Sequence, residues 1–247
     1  MGALESMQLT LGMSLKDGAT FENFYAGKNV EIVAWLKKMA VGQGEHFIYL
    51  SASRGQGGSH LLQACCQLAS VSQQESVYLP LTHFFASNKT PPLTILEGLD
   101  AFPLVCIDDM QVIAGVPEWE EAIFHFYNCV QEAGNRMLVA ANTLPQHLGL
   151  QLPDLTSRLS AGIVYQLQPL NDQEKLFVLI ERAKRRGIAL SEEVGKYLLT
   201  HCPRDMGALL TALDILDKAS LSAQRRLTVP FIKEVLQHAS YPNDTSA

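Results

Sequence analysis

Short apolar runs alternate with helical patterns through the first two thirds of the chain. Each run is rich in β-branched, leucine or aromatic residues and has the length of one strand. The runs are 46–52 (HFIYLSA), 76–81 (SVYLPL), 104–107 (LVCI), 137–141 (MLVAA) and 162–167 (GIVYQL). Between them, residues 59–70 and 118–133 have the period of helices with one apolar face. This alternation predicts an α/β fold with a five-stranded parallel sheet flanked by helices.

The pattern becomes purely helical after Leu170. Asn171 and Glu174 have the spacing of a capping box at the start of a helix that continues to Arg186. Three further helical segments begin at about 191, at 205 (to 219) and at 229 (to 238). The last third therefore predicts a separate small helical bundle of about 70 residues.

The composition allows a sizeable core but gives no sign of a DNA-binding face. Of the 247 residues, 47% are hydrophobic, and the net charge is −6. The only dense basic cluster, 184–186, lies at a predicted helix end, where cations complement the helix dipole. Direct binding to the phosphates of DNA is therefore not predicted. We also expect no membrane span and no secretory signal, since the chain lacks the long apolar run that the former needs and the basic start of the latter.

The five cysteines are odd in number and lie mostly within apolar segments. Cys65 and Cys66 are adjacent, and no CxxC pair occurs. The pattern predicts reduced core cysteines of a cytosolic protein, with neither a disulfide framework nor a zinc site.

Residues 52–59 (ASRGQGGS) join the first strand to the next helix and form a degenerate phosphate loop. A complete P-loop reads GxxxxGK[ST]. Here Ala52 stands at the first glycine and Gly58 at the lysine, whereas Gly57 and the hydroxyl of Ser59 remain.

Part of the physics of a phosphate loop survives without the lysine. Glycines let backbone N–H groups converge on a phosphate, and a helix N-terminus adds partial positive charge. The candidate nucleotide-binding residues here are Gly55, Gln56, Gly57, Gly58, Ser59 and His60. What is lost is the point charge on the terminal phosphates, for which Arg54 or His60 is a candidate substitute. The alternative is a glycine-rich turn that holds no ligand.

About fifty residues after this loop, the LVCI strand ends in Asp108 and Asp109. A buried strand that delivers carboxylates to its C-terminal edge is the Walker B arrangement. One acid can hold Mg²⁺ and the other can orient water. Asp108 and the hydroxyl of Ser59 are the candidate metal ligands. The alternative is a strand that ends in a solvated Asp-Asp turn.

Two further polar positions are candidates for phosphoryl chemistry. Asn142 follows the MLVAA strand, where an amide can reach a γ-phosphate or its water, although Asn-Thr is also common at turns and helix caps. Arg158 follows a short helical turn that begins at Pro153. It is a candidate arginine finger, and a surface salt bridge is the alternative.

Five segments, in this order, resemble the DnaA family of AAA+ proteins over nearly the whole chain. They are TFENFYAGKN (20–29), GQGGSHLL (55–62), CIDDMQVIAG (106–115), AANTLPQHL (140–148) and LPDLTSRLSAG (152–162). The resemblance implies an AAA+ P-loop core followed by an all-helical lid. The expected divisions are an arm over 1–19, the core over 20–170, the lid over 171–240 and a tail over 241–247.

The chain is most similar to short regulatory members of that family, because no basic helix-turn-helix domain follows the lid and no long region precedes the core. The resemblance implies a cytoplasmic negative regulator of replication initiation that holds ADP and has no robust ATPase activity of its own. Such a regulator contacts DNA only through the sliding clamp, which associates it with the nucleoid, and promotes hydrolysis of DnaA-bound ATP. Arg158 would complete the DnaA site in trans, and self-association as a dimer is the family habit.

The N-terminal arm contains a peptide, QLTL, that resembles the clamp-binding motif QL[ST]LP of this branch. Leu9 and Leu11 would be apolar anchors in a groove of the β sliding clamp of DNA polymerase III, and Gln8 would supply hydrogen bonds. Gly12 stands where the family has proline, so the arm is less preorganised.

The resemblance also assigns roles within the site. Asp108 and Asp109 match the Walker B acids, and Asn142 matches sensor 1. The sensor 2 arginine position is Gly207, and Arg204, one turn earlier, is a candidate substitute. The segment before the first strand often lines the base pocket in such folds. The candidates for that pocket are Phe24, Tyr25 and Asn29, with helix packing and capping as their alternative roles.

Two other functions compete with the regulator. One is a self-contained ATPase that remodels a complex through its own cycle, and the other is a nucleotide-bound adaptor that only bridges partners. Gly58 argues against the ATPase, and Arg158, in its family-like context, argues against the adaptor.

Overall fold

The computed structural model describes residues 18–87, 90–223 and 225–238. These residues form two compact units, and the chain divides between Gln168 and Pro169. The first unit contains a five-stranded sheet, and the second is helical. The α/β class predicted from the alternating pattern is therefore confirmed. None of the described helices is both long enough and apolar enough to cross a membrane.

All strand pairs in the sheet are parallel, in the order β2-β3-β4-β1-β5. The strands are β1 (Phe47–Ser51), β2 (Ser76–Pro80), β3 (Leu104–Asp108), β4 (Arg136–Ala141) and β5 (Ile163–Gln166). Each lies within one or two residues of its predicted run. β3 continues to Asp108, so the first acid of the Asp-Asp pair belongs to the strand itself.

Helices connect the strands and cover both faces of the sheet. In this unit they are α1 (Val30–Ala40), α2 (Gly58–Val71), α3 (Leu81–Ser87), α4 (Pro92–Leu96), α5 (Pro117–Glu132) and α6 (Pro153–Ser160). Leu81, predicted as the end of a strand, instead begins α3. Pro80 explains the difference, since proline lacks the N–H that would continue a ladder and is tolerated just before a helix.

Alternate residues of each strand enter two separate apolar clusters. Ile48 and Leu50 of β1 pack with helices α1 and α2, whereas Phe47 and Tyr49 pack with α5 and α6. All four side chains are 5% exposed or less. Burial on both faces is what removes a strict polar alternation from these runs.

The described part of the second unit contains four helices, α7 (Asp172–Arg185), α8 (Glu192–His201), α9 (Met206–Ala223) and α10 (Val229–His238). The predicted capping box is present, since Asn171 N–H donates to Glu174 Oε2 at 2.8 Å and Glu174 N–H donates to Asn171 Oδ1 at 2.9 Å. α9 extends four residues beyond the predicted end at Ala219. These helices enclose their own apolar cluster, which confirms the predicted helical lid.

Candidate functional site

The order of the strands brings the candidate residues to one edge of the sheet. β4 lies between β1 and β3. The phosphate loop follows β1, the Asp-Asp pair ends β3, and Asn142 follows β4. Because the carboxyl ends of parallel strands share an edge, these three segments lie together at that edge of the sheet.

The loop between β1 and α2 has the backbone form of an anion cradle. Gly55 and Gly57 have φ values of +77° and +98°, which a residue with a Cβ rarely adopts. Ser53 N–H donates to Gln56 Oε1 at 2.8 Å, and Gln56 N–H donates back to Ser53 O at 3.0 Å. The loop is therefore braced by its own bonds. Gly57 caps α2, whose first-turn N–H groups point out along the helix axis, as at any helix start.

Gly58 is buried, and its neighbours leave little room for a side chain at this position. A Cβ built there lies 3.0 Å from the Cβ of Ala52 and 3.8 Å from the Cβ of Ala140. Ala52 is itself the residue that replaces the first P-loop glycine. The two departures from the P-loop pattern are thus neighbours, and a side chain at position 58 would require the methyl of Ala52 to shift by a few tenths of an ångström.

The segment before α1 packs against this loop. A Cβ on Gly57 would lie 2.7 Å from Cε2 of Phe24, so the ring covers the glycine directly. His60 lies with its ring 5.6 Å from that of Phe24, and its Nε2 donates to Thr20 O at 2.8 Å. His60 therefore ties this segment to α2, and the bond to Thr20 engages one of its two ring nitrogens.

Asp108 is 4% exposed and is held by several donors. The phenol of Tyr78 donates to Oδ2 at 2.6 Å, and Asp109 N–H donates to Oδ1 at 2.9 Å. The Ser59 hydroxyl also hydrogen-bonds to this carboxyl. Burial raises the pKa of Asp108 above its ordinary value, although the bonds from Tyr78 and Ser59 favour the ionised form. The carboxyl is thus coupled to the first turn of α2.

Asp109 lies in the left-handed region with a φ of +59°. Its Oδ2 accepts from Thr82 Oγ1 at 2.9 Å, and its Oδ1 accepts from Gln111 Nε2 at 3.1 Å. The strained backbone aims the second acid along a different direction from Asp108. The two carboxylates therefore have different hydrogen-bond partners.

Asn142 is exposed and lies directly after β4. Its backbone N–H donates to Gln111 Oε1 at 3.2 Å, so Gln111 bridges the Asp109 carboxylate and the Asn142 backbone. The phenol of Tyr49 donates to Thr143 O at 2.8 Å and fixes the next peptide. The tip of β4 is thereby positioned beside the end of β3.

The donor set at this edge fits Mg²⁺ held together with a phosphate ligand. The Ser59 hydroxyl and the Asp108 carboxylate are hard oxygen donors, and they hydrogen-bond to each other. Among the described residues, no group of three or more His, Cys, Asp or Glu side chains is arranged to hold a metal ion. The protein therefore offers the few ligands that Mg²⁺ takes from a protein when phosphate oxygens and water supply the rest.

Arg158 lies in the last turn of α6 and is exposed. Leu155 and Leu159 of the same helix are fully buried in the core. Arg158 acts on Tyr127 of α5, where burial raises the pKa of the phenol and the nearby guanidinium opposes that rise. A rigidly anchored helix thus presents an accessible arginine.

The base-pocket candidates have different environments. Tyr25 is 38% exposed, whereas Asn29 is only 2% exposed. Asn29 Nδ2 donates to Gln168 O at 3.0 Å, and Gln168 N–H donates to Asn29 Oδ1 at 2.8 Å. The Asn29 amide therefore bonds to both the carbonyl oxygen and the N–H of Gln168, the last residue of the first unit. These bonds favour a role for Asn29 in holding that end of the unit in place. Its alternative role as a helix cap is not seen, since Asn29 makes no side-chain capping bond to α1.

The remaining candidates lie elsewhere in the chain. Arg204 is exposed in the helical unit, just before α9, and Gly207 is in the first turn of that helix. Asp205 Oδ1 accepts from Ala208 N–H at 2.8 Å and serves as the cap. The clamp-motif candidates Gln8, Leu9 and Leu11 lie outside the described residues.

Sequence reasoning missed four polar side chains that organise this part of the molecule. They are Gln63, Tyr78, Gln111 and Glu120. The only available signal was weak. It was a polar or phenolic residue within an otherwise apolar helix or strand, as at Gln63 and Tyr78.

Two family models match the chain. The model of the bacterial DnaA ATPase domain matches residues 15–166, which is more than half of the chain. The model of the Hda lid domain matches residues 172–236. The two matches follow each other along the sequence as core and lid do in the structure.

Solved structures with the same fold include replication initiators and a motor protein. Domain III of the replication initiation protein DnaA from Thermotoga maritima aligns with a TM-score of 0.79 at 19% identity, covering 93% of this chain and all of that one. AMPPCP-bound DnaA from Aquifex aeolicus aligns with a TM-score of 0.67 at 22% identity, covering 82% of this chain and 66% of that one. The Holliday junction branch migration motor RuvB from Thermotoga maritima aligns at 0.68 and 12% identity, covering 91% and 73%. At these identities the likeness shows the AAA+ fold.

The family matches identify the family of the chain, whereas the structural likeness shows only its fold. A DnaA-type core over most of the first unit and an Hda-type lid over most of the second together show a chain of the replication-initiation regulator family. The chain belongs to the bacterial DnaA ATPase-domain family, and it is an Hda-type, DnaA-homologous protein.

Proposed function

We propose that this chain is a negative regulator of replication initiation that holds a nucleoside diphosphate and acts on a second, ATP-loaded AAA+ protein, DnaA. The observation that carries the proposal is a contrast within one core. The phosphate loop has Gly58 in place of the lysine, with the Ala52 methyl close to where a Cβ at position 58 would lie, whereas Arg158 is exposed on an anchored helix. A loop without the P-loop lysine is poorly suited to hydrolysing its own nucleotide, and an accessible arginine is suited to catalysis in trans.

The nucleotide would lie in the crevice at the carboxyl edge of β1, β3 and β4. Backbone N–H groups of the loop and the N-terminus of α2 would bind the diphosphate. Without a lysine at position 58, the extra negative charge of a γ-phosphate lacks the point charge that a complete P-loop places there. The site therefore favours a diphosphate such as ADP over a triphosphate.

Asp108 and Ser59 would hold Mg²⁺ when it is bound, and the ion would neutralise charge on the phosphate oxygens. Asp109, aimed separately by its backbone and braced by Thr82 and Gln111, would orient water at this edge. Asn142 follows β4 on the same edge and would contact the terminal phosphate. Phe24 and Tyr25 would border the base, since the Phe24 ring covers the glycine that caps α2.

The action in trans would use Arg158. A guanidinium from a neighbouring protein stabilises the charge that develops on the transferred phosphoryl group, an effect of about 10³- to 10⁵-fold on rate. The buried Leu155 and Leu159 hold the helix, so little ordering is left to occur on contact. In the lid, glycine occupies position 207, where the family has its sensor 2 arginine. Arg204 would take over the role of that arginine.

Docking on DNA would be indirect. The net charge of −6 opposes direct contact with phosphates, and the QLTL peptide offers Leu9 and Leu11 as apolar anchors for the β sliding clamp. A clamp loaded on DNA would concentrate the regulator near its target.

Calorimetric titration tests the nucleotide site, with ADP and ATP as ligands of the purified chain. The proposal predicts tighter binding of ADP than of ATP, and weaker ADP binding when Ser59 is changed to alanine. Equal or tighter ATP binding, or no nucleotide binding, would contradict this part.

Hydrolysis by ATP-loaded DnaA tests the regulator, with and without DNA-loaded clamp. The proposal predicts stimulation that depends on the clamp and is lost when Gln8, Leu9 and Leu11 are changed to alanine together. Rapid hydrolysis by the chain alone would instead support a self-contained ATPase. Clamp binding without any effect on DnaA would support an adaptor.

A further inference from the structure

Glu120 is a buried carboxylate that the nucleotide site does not use. It lies in the first turn of α5, and its side chain is 1% exposed. Gly115 N–H donates to Oε1 at 2.8 Å, and the N–H groups of Gln151 and Leu152 both donate to Oε2 at 2.8 Å. A buried carboxylate is costly unless its oxygens are satisfied, and here three backbone donors satisfy them.

These three donors belong to two segments that are far apart in sequence. Gly115 ends the short segment that follows Asp109, whereas Gln151 and Leu152 lead into α6. Leu152 is the N-cap residue of α6 and makes no side-chain capping bond. The carboxylate of Glu120 therefore lies at the start of the helix that carries Arg158, where a negative charge is also favoured by the helix dipole.

The same face of α5 also reaches the other end of α6. Tyr127 lies about two helical turns after Glu120, and it is the residue on which Arg158 acts electrostatically. α5 thus fixes α6 at its N-terminal end through Glu120 and lies beside it at Arg158.

We infer that Glu120 is a positioning residue for Arg158, because it binds the chain entering α6 to the segment that follows the Walker B acids. The inference rests on the proposed action of Arg158 in trans. Glu120 does not touch the reacting groups. It sets the position from which the arginine is presented.

The charge and the two oxygens of Glu120 are both needed for this role. A glutamine at position 120 has one acceptor oxygen and one NH₂ donor. Its NH₂ group would face a backbone N–H on one side, and two donors cannot form a hydrogen bond with each other. The chain before α6 or the Gly115 segment then loses its acceptor. Displacement of a catalytic group by about 1 Å can lower a rate about a hundredfold, so a small shift of α6 is enough to be measured.

The test compares Glu120→Gln with Glu121→Gln, an exposed carboxylate next along the same helix. Single-turnover hydrolysis by ATP-loaded DnaA is measured against the concentration of each variant, on DNA-loaded clamp. Glu120→Gln is expected to lower the maximal rate about ten- to a hundredfold and to leave the half-saturating concentration unchanged. Glu121→Gln is expected to match the wild type.

A double variant separates positioning from general damage. If Glu120 acts only through the arginine, Glu120→Gln combined with Arg158→Ala hydrolyses at the rate of Arg158→Ala alone. A further fall in the double variant, or an unchanged maximal rate in Glu120→Gln, would overturn the inference. If Glu120→Gln does not fold, Glu120→Asp keeps both oxygens on a shorter stem and is expected to show a smaller fall with the same pattern.

Amide hydrogen exchange tests the structural part without any hydrolysis. Glu120→Gln is expected to speed exchange in peptides covering 149–160 and to leave α8 in the lid unchanged. Unchanged exchange over 149–160 would overturn the inference even if the regulator function holds. Faster exchange there, with a wild type that never stimulates DnaA, would support the positioning of α6 and reject the proposed function.

Discussion

The phenol of Tyr78 donates a 2.6 Å hydrogen bond to Oδ2 of Asp108. Gln63 Nε2 donates to the same phenol oxygen at 3.2 Å, so the phenol proton is directed at the carboxylate. Tyr78 is on β2 and Asp108 ends β3, which is its neighbour in the sheet. The buried acid that we propose as a Mg²⁺ ligand is thus stabilised by a strand that carries no recognised nucleotide motif.

Replacement of Tyr78 by phenylalanine is expected to destabilise the protein by about 1–3 kcal/mol, because a buried carboxylate loses a donor. The bond favours the ionised form of Asp108, so the loss is expected to be largest at pH values where the carboxyl is ionised and to shrink as pH falls through its raised pKa. Denaturant unfolding across a pH series measures this difference. In an Asp108→Asn background, Tyr78→Phe is expected to cost much less, and an equal cost there would contradict the assignment.

The contact between Ala52 and a Cβ at position 58 makes the two P-loop departures interdependent. Gly58→Lys alone is expected to gain little affinity for ATP, because its Cβ would crowd the Ala52 methyl and shift the loop by a few tenths of an ångström. Combined with Ala52→Gly, it is expected to gain about tenfold, the size of one charge-assisted hydrogen bond. Titration with a fluorescent ATP analogue measures both variants and Ala52→Gly alone. Additive effects of the two changes would show that the residues act independently.

Nucleotide binding in the presence of Mg²⁺ is expected to weaken on acidification. Burial raises the pKa of Asp108, so the carboxyl takes up a proton at a higher pH than an exposed aspartate does. A protonated carboxyl no longer attracts the cation, and ADP affinity is expected to fall as pH drops through that raised pKa. The measurement is ADP titration with Mg²⁺ at several pH values. Asp108→Asn is the control, and it is expected to bind weakly with a flatter pH profile.

Gly162 meets the backbone of β1 too closely for any side chain. A Cβ there would lie 2.5 Å from Cδ1 and 2.7 Å from the carbonyl oxygen of Phe47. Gly162→Ala is therefore expected to destabilise the core by about 1–3 kcal/mol, because the backbone of β1 or β5 must move. Thermal or denaturant unfolding measures the change. Ala161→Ser adds one atom at the exposed neighbouring position and is expected to change stability by less than about 0.5 kcal/mol.

The sequence predicts well whatever depends on local pattern. The five strands, the capping box of Asn171 and Glu174, and the position of the two acids at the end of β3 all follow from short-range spacing. The strands can be recognised in the sequence because burial on both faces leaves continuous apolar runs. The loop that follows β1 can be recognised because a phosphate loop needs glycines at fixed offsets.

The sequence does not predict contacts that depend on the order of strands or on long loops. Tyr78 reaches Asp108 only because β2 lies beside β3 at the edge of the sheet. Asn29 binds the backbone of Gln168, which is 139 residues away. Glu120, within an amphipathic helix, has the sequence appearance of a solvated charge, and only the folded loops reveal its three backbone partners.

The most direct test of the central claim is single-turnover hydrolysis of DnaA-bound ATP on DNA-loaded clamp, with the wild-type chain or with Arg158→Ala. Arg158 is exposed, so the variant is expected to keep its fold, its ADP affinity and its clamp binding. The account predicts that the wild type stimulates hydrolysis and that Arg158→Ala loses about a thousandfold or more of that rate, the typical contribution of an arginine supplied in trans. Undiminished stimulation by Arg158→Ala would contradict the claim that this chain completes a partner's active site.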